Sequence, residues 1–172
     1  DNTSKVAYRQ LAKAYDRAEM FQQASESYEE LFKLDPRDFQ VAIQVSEVNI
    51  VGGNFGKAMR WAEKAITSSK SGEAYAQRGN VYYKAFQECR SANISTDDRI
   101  AASLAHDSFT LAEENDYRRF HNSLVWLEEN EVLFGRSHWF MLDANKKKQG
   151  YVKPNSECYK WVEKKLDKDP NW

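Results

Sequence analysis

Between Tyr8 and Pro36 the chain reads YRQLAKAYDRAEMFQQASESYEELFKLDP, and this order of large and small residues recurs about 34 residues later and then once more. Large side chains stand at Tyr8, Leu11 and Tyr15, small ones at Ala12 and Ala24; Tyr28 and Leu31 follow, and Pro36 ends the pattern. Apolar residues three and four apart line one helix face, so the stretch predicts two amphipathic helices and a stop. A pair of this kind cannot bury its apolar face alone. It must stack on copies of itself, and stacked helical pairs make extended binding surfaces in place of catalytic clefts.

One frame on, Ala42, Val45, Ser46, Asn49, Ala58, Ala62 and Ala65 repeat the small positions better than the aromatic ones, with Gly53 and Phe55 at the turn and Lys70 in place of the proline. The third copy opens with Tyr75, Gly79 and Tyr82, but after Phe86 the frame fails and CRSANISTDD intervenes. Ser95 with Asp98 three residues on has capping-box spacing, and Leu104, Ala105, Phe109, Leu111 and Ala112 then resume the pattern. The expectation is a helix over 72–90, a loop near 91–96 and a helix over 97–114. The repeats span about 5–38, 39–71 and 72–117 with an insertion near 91–104, and a closing helix over 117–134 carries Phe120, Leu124, Leu127 and Val132 and ends near Gly135.

The chain thus divides into a helical repeat domain, 1–134, and a non-repeat tail, 135–172. The tail holds Trp139, Phe140, Tyr151, Tyr159, Trp161 and Trp172. Within it Lys146-Lys147-Lys148 reads as a solvated loop, and Tyr159, Val162 and Leu166 share one side of a short helix expected over 156–167. The aromatics either cap the last helices, fill the groove or make a dimer contact.

On those residues the chain resembles the tetratricopeptide repeat family, which places large, Leu, small, aromatic, Ala, aromatic and Pro residues in this order. Leu31 and Glu19 depart from it, since Ala and Gly are usual there. The resemblance implies an all-α solenoid, a right-handed superhelix of helix-turn-helix repeats whose first helices line a concave groove. The tail, with its Trp139-Phe140 pair, lysine-glycine stretch and Cys-Tyr-Lys-Trp ending, is similar to exported tetratricopeptide proteins of the Bacteroidetes and Chlorobi type.

Charged residues make up 30% of the chain and the net charge is -1, which gives no electrostatic reason to expect nucleic acid as a partner. No apolar run reaches the roughly 18 residues of a membrane span. Cys89 and Cys158 are far apart with no CxxC spacing, so zinc is not expected; they pair if the tail folds back, and stay separate thiols otherwise. The chain opens at Asp1 without a leader, which fits a cytoplasmic protein or an exported one whose leader has been removed. His106, His121 and His138 lack any HExxH or nucleophile-elbow context, so neither an enzyme nor a cofactor is expected.

By the resemblance, the groove positions hold Arg9, Lys13, Asp16 and Arg17, then Gln40, Ile43, Gln44, Glu47 and Ile50, then Ala76, Gln77, Asn80 and Tyr83. Of these, Arg9, Lys13, Arg17, Gln40, Ile43, Glu47, Asn80 and Tyr83 are the expected partner contacts. Arg9, Lys13 and Arg17 fall at i, i+4 and i+8 and form a basic stripe able to meet a carboxylate. The family's clamp for a chaperone C-terminus is not expected, because Glu73 stands where it needs a cation. The function expected is a protein–protein interaction scaffold that binds a peptide or helix in the groove; a spacer that forms homo-oligomers through the tail is the alternative.

Overall fold

A computed structural model describes all residues, Asp1–Trp172, as an all-α chain with one small ribbon. Three helix pairs come first: α1 (Asn2–Arg17) with α2 (Phe21–Leu34), α3 (Phe39–Val51) with α4 (Phe55–Ser68), and α5 (Gly72–Cys89) with α6 (Thr96–Glu114). Then follow α7 (His121–Glu129), α8 (Arg136–Phe140), α9 (Ala144–Gln149), and strands β1 (Tyr151–Val152) and β2 (Leu166–Asp167), which pair antiparallel. No helix is long and apolar enough to cross a membrane.

Each first helix of a pair starts where a short polar side chain accepts a backbone N–H: Asp1 from Thr3, Asp38 from Gln40 and Ser71 from Ala74. Ser95 and Asp98 form the capping box that opens α6. The turns within the first two pairs share one geometry. Glu19 and Gly53 take φ 57° and 76°, and the next amide donates back to Tyr15 O at 2.9 Å or Asn49 O at 2.8 Å.

Small residues set how closely the helices approach. Ala12, Ala24, Ala58, Ala62 and Ala105 are fully buried. A Cβ on Gly79 would come within 2.6 Å of the Phe109 ring, so α5 and α6 pack at a distance only glycine permits there. Successive pairs then stack, with α2 on α3 and α4 on α5, while α3 also touches α5. Two polar networks run inside the stack: Gln77 Nε2 donates to Ser46 Oγ, which donates to Ala58 O, and Asn49 Nδ2 donates to Ser25 Oγ and Val45 O.

Beyond α6 the structure departs from the helical expectation. The helix expected over 117–134 is confined to His121–Glu129. Asp116 at φ 62° closes α6, and at the other end Asn130 Nδ2 donates to Trp126 O while Glu131 turns to φ 54°. Val132 and Phe134 are nonetheless buried, because the extended segment docks on α6 through Arg99, which donates to Glu131 O, and through the Phe134 amide, which donates to Ser103 Oγ at 2.9 Å. Gly135 therefore precedes a helix, α8, and the lysine run lies in α9 behind the Asp143 cap, with Gly150 left-handed at its end.

No helix forms over 156–167. A single 3-10 turn, Glu157–Tyr159, and strand β2 take its place. Long-range contacts decide this: Cys158 is joined to Cys89 at the end of α5, so the separate-thiol alternative falls, and Tyr159 Oη donates to Asp98 Oδ1 at 2.6 Å. Asp97 accepts the Asn155 and Ser156 amides at 3.0 and 2.7 Å. Trp161 stacks near Phe55 and Tyr82, and Trp172 lies against Phe134 and Trp139.

Candidate functional site

The first helices of the pairs leave a hollow of about 410 Å³, bounded by Asp16 of α1, Gln44, Glu47, Val48 and Ile50 of α3, and Asn80 and Lys84 of α5. Tyr28 closes it from α2, and Arg119 reaches it from the turn before α7. The stacking of α3 on α5 brings residues one frame apart to neighbouring heights, which is why Glu47 and Asn80 meet in one wall.

The electrostatics of this hollow are open. Asp16, Glu47, Lys84 and Arg119 form no ion pair, although seven other Lys or Arg side chains pair with carboxylates. Glu47 is exposed, yet the walls strip enough water from its carboxyl to raise its pKa; Arg119 opposes the rise, and Glu73 and Asp16 add to it. The Asn80 Oδ1 is buried with no donor. The hollow thus offers carboxylates, cations and the apolar flanks of Val48 and Ile50.

The expected contacts part into four groups. Glu47 and Asn80 line the hollow. Arg9 and Gln40 are spent on holding helices together: Arg9 faces Asp38 at 3.6 Å and donates to Gln44 Oε1, while Gln40 Nε2 donates to Glu73 across to α5 at 2.6 Å. Lys13 and Arg17 are exposed on α1 and do not line the hollow.

Ile43 and Tyr83, expected on the open groove, are core residues, 5% and 9% exposed. Helix α3 is covered by α2, α4 and α5, which encloses Ile43. Trp126 of α7 meets Tyr83 edge-on at 6.4 Å and closes over it from outside the repeat. Among contacts the sequence did not single out, Lys84 is one helical turn beyond Asn80 and follows from the frame. Arg119 follows from no repeat position, because it comes from the turn after α6.

Elsewhere each histidine contacts another protein group. His106 Nε2 lies 3.0 Å from Glu128 and ties α6 to α7, His121 Nδ1 lies 2.7 Å from Glu113, and His138 Nδ1 accepts the Gly135 amide at 2.9 Å. No three His, Cys, Asp or Glu side chains gather as a metal site. No protein-family model matches the chain, and no curated protein matches it.

Proposed function

We propose that the chain is a non-enzymatic adaptor, a three-repeat tetratricopeptide-type superhelix whose concave side takes a peptide or helix of another protein within a larger assembly. The hollow beside α1, α3 and α5 carries this reading. Asn80 lines one wall, and its side-chain amide can exchange hydrogen bonds with the backbone of a ligand segment. Unpaired Glu47 and Lys84 add recognition of charges of either sign, and Ile50 and Val48 add apolar contact. The shared turn geometry at Glu19 and Gly53 and the small residues at Ala12, Ser46 and Gly79 support the repeat assignment.

The test is site-specific capture. A photo-crosslinking residue at Gln44 in the hollow, compared with one at Lys64 on α4, should trap a discrete partner only from Gln44. Combining it with Glu47→Lys and Asn80→Leu should abolish the adduct. An adduct of equal yield in that variant would move the site out of the groove.

The tail-driven spacer has less to work with. Trp139 and Tyr159 are buried within the fold, and only Phe140 and Met141 of the tail's large apolar residues are well exposed, at 54% and 86%. The disulfide favours an oxidising compartment, where such bridges persist. Alkylation of the protein from its native source before reduction should leave both cysteines unmodified.

A further inference from the structure

A second cavity, of about 570 Å³, lies where α4, α5 and the tail meet. It exists because the tail is anchored. With Cys158 joined to α5 and Tyr159 held by Asp98, Trp161 is laid on α4 at Gly56, where an added Cβ would stand 3.3 Å from that of Trp161. The indole stacks on Phe55 and Tyr82, with ring centroids 6.1 and 6.0 Å away and interplanar angles of 24° and 19°. Glu163 and Lys164 follow Trp161 into the lining, and Met59 and Arg60 of α4 complete it. Tyr82 is two residues from both Asn80 and Lys84, which turns it to the side of α5 away from the groove.

Tyr82 is 2% exposed, yet its hydroxyl has no hydrogen-bond partner in the chain. Burial raises its pKa, so the phenol keeps its proton; the charges acting on it are Arg78, Glu63 and Glu163, and both carboxylates line the cavity. Glu63 is taken by Arg78 at 3.7 Å, and Lys64 Nζ lies 4.0 Å over the Trp61 ring. Arg60 and Lys164 have no carboxylate partner, and Glu163 has no cation, which leaves two free cations against one free anion. Loss of hydration, then Arg78, lowers the pKa of Lys164, so this ammonium lacks a counter-charge.

We infer that the cavity binds a small planar aromatic carboxylate, with its ring against Trp161 and Met59 and its carboxylate received by the Tyr82 hydroxyl and the cations Arg60 and Lys164. Small-molecule sites occupy about 300–1,000 Å³ and combine apolar walls with a few convergent polar groups. Here the stacked rings specify a flat apolar body, the protonated phenol calls for an acceptor, and the surplus cation calls for an anion. This site is separate from the groove and does not depend on what the groove binds.

The probe is cinnamate, titrated by calorimetry into the full chain, with cinnamyl alcohol and cinnamylamine as its neutral and cationic counterparts. Saturable binding of cinnamate is expected, with the alcohol weaker and the amine weakest. Arg60→Gln with Lys164→Gln should weaken cinnamate about tenfold and Tyr82→Phe about fivefold, whereas Glu47→Lys in the groove should leave it unchanged. Arg60 and Lys164 are exposed and Tyr82→Phe gives up no hydrogen bond within the chain, so these variants should keep the parent's near-ultraviolet circular dichroism. Absence of saturable cinnamate binding, equal binding in the double variant, or an amine that binds as tightly as cinnamate overturns the inference.

Discussion

Glu19 holds a left-handed backbone at φ 57° where its counterpart one frame on is Gly53. A side chain in that region costs roughly 1–2 kcal/mol, partly offset by the extra freedom glycine has when unfolded. Glu19→Gly should therefore raise the unfolding free energy by about 0.5–1 kcal/mol, read from urea titrations. His106 gives a pH-dependent counterpart. Asp107, then Glu128, raise its pKa against an opposing loss of hydration. The folded state then holds the proton more tightly than the unfolded chain. The stabilisation is complete below about pH 6.5, the unfolded value, and is lost as pH rises through the raised folded value. The destabilisation caused by His106→Gln should accordingly shrink as pH rises above about 6.5; a penalty that stays constant would show that charge plays no part. His138 has the opposite sign, since burial and then Arg99 lower its pKa.

At the scale of elements, the tail is fastened to the start of α6 by adjacent carboxylates and to the end of α5 by a covalent bond. Closing a loop of 69 residues removes enough freedom from the unfolded chain to stabilise the fold by about 4 kcal/mol in the chain-entropy description. Cys89→Ser with Cys158→Ser should lower the urea midpoint accordingly and expose 135–172 to protease first; an unchanged midpoint would show that the other tail contacts suffice. The first six helices were legible in the sequence because local features decide them: apolar residues at helical spacing, and the capping box at Ser95 and Asp98. The tail was not. Tyr159, Val162 and Leu166 have helical spacing, but their positions are set by partners such as Asp98, 61 residues away, which no local pattern records. The groove divides the same way. Glu47 and Asn80 followed from the frame, whereas Arg119 and the covering of Tyr83 by Trp126 depend on how the chain returns after α6.

Across the whole molecule, buried side chains form two clusters, one among the first two pairs with Ala74 of α5 and one from α4 to the tail. Trp139, Val152, Tyr159 and Val162 belong to the same cluster as Phe86, Leu104 and Phe109, so the tail is part of the core that α5 and α6 share. A chain ending at Phe134 should lose its near-ultraviolet circular dichroism while keeping much of its helicity, and light scattering of the full chain should report a monomer. Retained near-ultraviolet signal in the shorter chain would make the tail an appendage. The bridge has a mechanical consequence as well. Tension applied to the two ends passes from Cys89 directly to Cys158, so the residues between them carry no load, however far the rest is pulled. Stretching single molecules should therefore release only the flanking segments until a reductant is added. The 69-residue loop then joins the load-bearing path and lengthens the chain by about 240 Å.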